Sequence, residues 1–169
     1  MSDIHILFPT PVYQTVIEFR PSELKHMLDF LKACEWRPDM DIVNRPNGET
    51  TKLQEDLLSY PELKLLENNI ENEVHKFAKS LQLDLNKHGL KRINSWGNLQ
   101  RKGNYIKEHR HNNTQFAGVF YLQVPENSGD IVFSTRNATW ITSHWEPSVT
   151  GYDDLNSFEK KFEPEECGL

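Results

Sequence analysis

Cysteine is scarce in this chain: only Cys34 and Cys167 occur, far apart and without paired spacing. That usage excludes a disulfide framework and a thiolate zinc site, and it suits a reducing interior. Long apolar runs are also lacking, since none approaches the roughly 20 residues needed to cross a bilayer. The stretch from Met1 to Tyr13 carries His5 and Pro9 where a signal peptide would carry a basic patch and an apolar segment. A soluble, cytoplasmic protein is expected. Positive charge is short as well, with 19 Lys and Arg against 25 Asp and Glu, a net charge of −6. Such a balance repels a phosphate backbone, so nucleic acid is disfavoured as a partner, and proteins, free amino acids and small metabolites stay open. No internal repeat, low-complexity tract or charge block divides the chain.

What the chain does have is 169 residues, enough to bury roughly two-thirds of the unfolded surface in one domain. The apolar fraction is 37% and the mean hydropathy −0.68, but nine Phe, five Tyr and four Trp supply large buried area per residue. In residues 21–34, Leu24, Met27, Leu28 and Leu31 fall on one helical stripe behind Pro21 and Ser22, which suit a helix N-terminus. Arg37 to Gly48, rich in proline, asparagine and aspartate, reads as a loop. Pro61 then opens a longer helix through Leu63, Leu66, Ile70, Val74, Phe77 and Leu81, expected to end near Leu83 before a turn at Gly89.

Beyond Lys91 the period changes to two. Strands are expected over Ile93 to Leu99, Thr114 to Val124 and Asp130 to Phe133, with turns at Lys102 to Asn104 and Pro125 to Gly129, the second of hairpin length. Helices first and antiparallel strands after predict an α+β domain, residues 1–90 mainly helical support and 91–169 a β core. Trp36, Phe77 and Phe116 are expected to pack in the interior, and Arg101, Lys102 and Lys107 to line a solvated face.

Among seven histidines the close pair is His109 and His111, directly before the Thr114 strand. In extended chain, residues i and i+2 share a face, so two imidazoles can converge on one metal ion. Neutral imidazole suits iron, zinc, copper or nickel, and Asn98, Asn113 and Thr114 are polar groups that could orient the rings. The same pair also reads as two solvated side chains, and both readings stay open on spacing alone.

The stretch S-W-G-N-L-Q-R-K-G-N-Y-I-K-E-H-R-H-N-N-T-Q-F-A-G-V-F-Y-L-Q-V-P-E-N-S-G-D-I-V-F, from Ser95 to Phe133, resembles the core of a family of 2-oxoglutarate and iron(II)-dependent oxygenases found in phages and marine bacteria. The opening L-F-P-T-P-V-Y, Leu7 to Tyr13, and the late Glu163 to Leu169 are similar to the same family in the same order. The resemblance implies a double-stranded β-helix, jelly-roll-like, with helices packed outside and the metal at one open end. It places Fe(II) on His109 and His111. It also matches Tyr121 to a tyrosine that contacts the distal carboxylate of 2-oxoglutarate, although Tyr121 reads equally as a core residue. Asn98 is a further candidate for the cosubstrate, and Trp96 for a pocket wall or core. His144 is set aside, because its surroundings resemble the variable loop ahead of the last core strands.

The chain departs from the wider superfamily in one respect: a second histidine stands at position 111 where a carboxylate is usual, which leaves a bound metal more positive. In the family, a segment like Pro164 to Leu169 is followed by a strand, the distal iron histidine and an arginine that pairs with the cosubstrate. The C-terminal core strands and those two residues are therefore expected to be missing here, and weak metal affinity with them. A bare sheet edge would follow, covered by another chain or copy, locally disordered, or a cause of poor solubility. The implied activity is a dioxygenase that oxidatively decarboxylates 2-oxoglutarate to succinate and abstracts hydrogen from an unactivated C–H bond of an unknown substrate. Two alternatives stand beside it: a non-catalytic β-sandwich that binds a partner, and a cupin-like metal enzyme with three histidines and no 2-oxoglutarate.

Overall fold

The structure, a computed structural model, describes residues 10–40, 46–52, 56–87, 89–134 and 159–168. The first helix, α1 (Pro21–Ala33), starts where its sequence signal lies. Pro21 occupies the first turn, where its missing N–H costs nothing. Glu23 reaches back to accept from the Arg20 backbone N–H at 2.8 Å, one half of a capping box; arginine has no acceptor with which to complete the other half. At the far end two side chains take up free carbonyls: the Cys34 thiol donates to Phe30 O at 3.4 Å and the Trp36 indole to Leu31 O at 3.0 Å.

Two short 3-10 turns, Leu57–Ser59 and Pro61–Leu63, lead into α2 (Lys64–Ser80). The second helix thus begins three residues after Pro61 and ends before Leu83, earlier than its apolar periodicity suggests. Its end is a Schellman motif: Leu83 N–H donates to Ala78 O at 3.1 Å and Gln82 N–H to Lys79 O at 2.9 Å. The motif needs a left-handed residue, and Gln82 supplies it at φ 59°. Met27, Leu57, Leu58, Leu63 and Leu66 form the core between the helices and turns, with Leu24, Phe30, Leu31 and Ile70 packed around them.

Of the stretch 37–48, expected as a loop, the described residues 37–40 and 46–48 instead lie in strands. β1 (Trp36–Met40) pairs antiparallel with β2 (Pro46–Thr51), and β2 pairs with β3 (Asn98–Leu99). Pro38 is tolerated because β1 is an edge strand, in the order β1-β2-β3. The pattern was invisible to hydrophobic alternation because β2 is the polar run Pro-Asn-Gly-Glu-Thr-Thr, and its β3 partners lie some fifty residues on. Two glycines allow the close approach. Gly48 has φ +110°, and a Cβ there would stand 2.5 Å from Leu99 O; a Cβ at Gly97 would meet Thr51 and Trp36 at 3.0 and 3.2 Å.

The expected strand over 93–99 is reduced to β3, and the expected strand over 114–124 joins no ladder. What that second segment does make is one two-bond link at Tyr121, whose N–H donates to Gly168 O at 2.9 Å while its carbonyl accepts from Cys167 N at 2.6 Å. Cys167 O in turn accepts from Ile17 N at 2.9 Å, so residues 167–168 are stitched between Ile17 and Tyr121. Phe120 and Leu122 pack on the helical core. The 125–129 turn forms around Asn127 at φ 61°, but no hairpin follows it. Instead β4 (Ile131–Ser134) pairs antiparallel with β5 (Glu159–Phe162).

The architecture is α+β with small antiparallel sheets. Phe77 stacks on Tyr13 at 5.3 Å and meets Phe116 edge-on at 5.4 Å, which places both phenylalanines in packing roles. Cys34 and Cys167 are free thiols. No helix among the described residues is long and apolar enough to cross a membrane. Leu7 to Pro9 and His144 lie outside the described residues.

Candidate active site

The base on which the candidate site stands is an ion-pair node under Ser95. Arg92 donates to Asp56 at 2.6 Å, Glu67 at 2.8 Å and Glu71 at 3.1 Å. Asp56 also accepts from Ser95 Oγ, whose own oxygen accepts from Leu58 N at 2.8 Å. Burial alone would raise the Asp56 carboxyl, but the Ser95 hydrogen bond and the Arg92 guanidinium outweigh it and leave its pKa lowered. Glu67 is lowered by hydrogen bonds from Lys64 and Arg92. The node fixes the chain entering Trp96 against α2 and the 3-10 turns.

From there Trp96, His111 and His109 stand in a row. The Trp96 ring lies 5.6 Å from His111, and His111 lies 5.0 Å from His109 with the imidazoles nearly perpendicular at 84°. The pair lies outside any strand, followed by a turn in which Asn113 takes φ 61°. The expectation that a strand would present both rings is thus corrected: the rings meet without a ladder. His109 Nδ1 lies 2.8 Å from Lys107 O. A carbonyl can only accept, so the proton sits on Nδ1 and the Nε2 lone pair is left for a ligand. Two imidazoles bound side by side on one ion at ~2.1 Å would have centroids roughly 4.5–5.5 Å apart, and the pair falls within that range.

Among the described residues, no group of three or more His, Cys, Asp or Glu side chains is gathered to hold a metal. The described residues thus bring the two imidazoles together and supply no third ligand beside them.

The other two candidates are held by different contacts. Asn98 is exposed in β3 opposite Thr50. The Tyr121 backbone is held by Cys167 and Gly168, between Phe120 and Leu122, which pack on the helical core. Burial pushes its hydroxyl pKa up. Two features escaped the sequence reading. The Lys107 carbonyl that orients His109 belongs to the backbone and carries no residue signal. The second is an open cleft of about 450 Å³ bordered by Arg37, Asp39, Thr50, Asn94 and Trp96. Its signal was the opposite charges of Arg37 and Asp39, two residues apart, lost once that stretch was read as loop.

Residues 94–166 match the family model described as "Putative 2OG-Fe(II) oxygenase". This is the oxygenase family that the stretch from Ser95 to Phe133 resembles, and Asn98, His109, His111 and Tyr121 all fall inside the matched segment. The match supports a dioxygenase-type function. No curated protein and no solved structure matches the chain.

Proposed function

We propose that this chain is an iron(II)- and 2-oxoglutarate-dependent dioxygenase, a hydroxylase in which His109 and His111 hold Fe(II), and Tyr121 and Asn98 contact 2-oxoglutarate. The observation that carries the reading is the imidazole pair, 5.0 Å apart with the His109 tautomer set by Lys107 O, inside a segment matched to the oxygenase family. Bound together, Fe(II) and 2-oxoglutarate supply the means to activate oxygen and oxidise a C–H bond.

The chain's own residues do the positioning. The Lys107 carbonyl accepts from His109 Nδ1, which leaves Nε2 to face a ligand. Trp96 rests against His111 and limits its rotation. Tyr121, its hydroxyl kept protonated by burial, donates to a carboxylate instead of repelling it. The Asn98 amide offers a second neutral donor. The double-stranded β-helix in a single domain, with the helices outside, is part of this proposal, as is a soluble enzyme acting in the cytoplasm on a small-molecule or protein substrate.

The test is succinate formation from 2-oxoglutarate by the purified chain with Fe(II) and oxygen. Turnover that falls by more than about 100-fold in a His109→Ala, His111→Ala double variant is the expected result. No succinate, or equal succinate from the variant, contradicts the proposal.

A further inference from the structure

We propose that the cleft beside Trp96 is the substrate site of the enzyme and that it takes a free amino acid; this rests on the oxygenase reading of the histidine pair. At about 450 Å³ the cleft is within the range of small-molecule sites. Its position is set by Trp96, which borders the cleft and also stands 5.6 Å from His111, so that one indole separates an occupant from the candidate metal ligands.

The cleft's chemistry is set by which groups are already engaged. The Thr50 hydroxyl donates to Gly97 O at 3.2 Å, Thr51 Oγ1 accepts from Gly97 N at 3.0 Å, and Ser95 Oγ is held by Asp56 and Leu58. The charged neighbours are engaged too: Lys52 with Glu35 at 2.7 Å, Arg101 with Glu49 at 3.1 Å, Arg92 with Asp56. Arg37 and Asp39 differ, because among the described residues neither has an ion-pair partner.

Both border the cleft, Asp39 at the irregularity that shifts the β1–β2 register between Pro38 and Met40. The cleft thus offers one planar guanidinium for a carboxylate, one carboxylate for an ammonium, and an indole wall for whatever is attached between them. A free amino acid carries that pair of charges on one carbon. A dicarboxylate such as 2-oxoglutarate would satisfy Arg37 and be repelled by Asp39, and a diamine would meet the reverse conflict.

The test is ligand-observed NMR of the metal-free 169-residue chain against the twenty protein amino acids, with 2-oxoglutarate as a separate probe. At least one amino acid is expected to bind, with affinity lowered about tenfold in Arg37→Gln and again in Asp39→Asn, the loss of one charge-assisted hydrogen bond each. Unchanged thermal unfolding of both variants shows that the sheet is intact. The proposal is overturned if no amino acid binds, if the variants bind as well as the parent, or if 2-oxoglutarate occupies the cleft and binds more tightly to Asp39→Asn. Amino-acid binding by a parent chain that takes up no Fe(II) would leave the cleft standing and remove the oxygenase reading instead.

Discussion

Met27 and Leu63 in the first half of the chain are sealed from water, at 1% and 0% exposure, whereas Ile93 and Phe133 in the second half are 68% and 42% exposed. Both halves contain apolar residues in regular patterns, so pattern is not what separates them. The helices of residues 10–87 close their hydrogen bonds locally, and their stripes need only meet one another to bury area. Apart from local turns, the segments of 89–134 depend on distant partners, and their pairing is limited to short stretches such as Asn98–Leu99 with Thr50 and Glu49. Stability and chemistry are therefore held in different places. The buried core is in the helical half, and the histidine pair and the family match are in the extended half.

The sharpest way to break this comparison is to truncate one apolar side chain on each side to alanine. Leu63→Ala is expected to cost 2–5 kcal/mol in denaturant unfolding, and Phe133→Ala about 1 kcal/mol or less, its only described ring partner being Phe162 at 5.7 Å. Equal costs would mean that the second half is as well packed as the first.

Next in size is Arg92→Met, which leaves Asp56 without its cation and Glu67 with Lys64 alone at the seam between the halves; a loss of about 2 kcal/mol is expected. Because both carboxyls have lowered pKa values in the folded state, their contribution is complete above the ordinary carboxylate range. It is lost as pH falls from that range through the lowered values. Urea midpoints measured across acid pH should therefore fall more steeply for the parent than for Arg92→Met. Parallel slopes would show that the node does not couple the halves.

The smallest change acts within the helical half alone. Gln82→Gly relieves a left-handed residue at the Schellman turn and should add roughly 0.5–1 kcal/mol, read as a higher melting temperature.

The two helices were legible because spacings such as Leu24, Met27, Leu31 are a local code and Pro21 marks a start. The end of α2 was not, since Gln82 gives no hint that it will adopt φ 59°. The β1–β2–β3 sheet was hidden for a different reason: its strands are polar, and Thr50 finds Asn98 only in three dimensions. In the opposite direction, Thr114 to Val124 alternates well and still forms no strand, because alternation specifies faces and says nothing of neighbours. At the site, the spacing of His109 and His111 was enough to bring the rings together. The Trp96 contact with His111 could not be read from a gap of fifteen residues.

The measurement that tests the central claim most directly is anaerobic titration of the chain with Fe(II), with and without 2-oxoglutarate, followed by the weak visible absorption of an iron-chelated keto acid. A band that requires both components and disappears in the His109→Ala, His111→Ala double variant is the predicted result. No band, together with no iron retained after desalting, would contradict the account and leave the imidazole pair as two solvated rings beside a tryptophan.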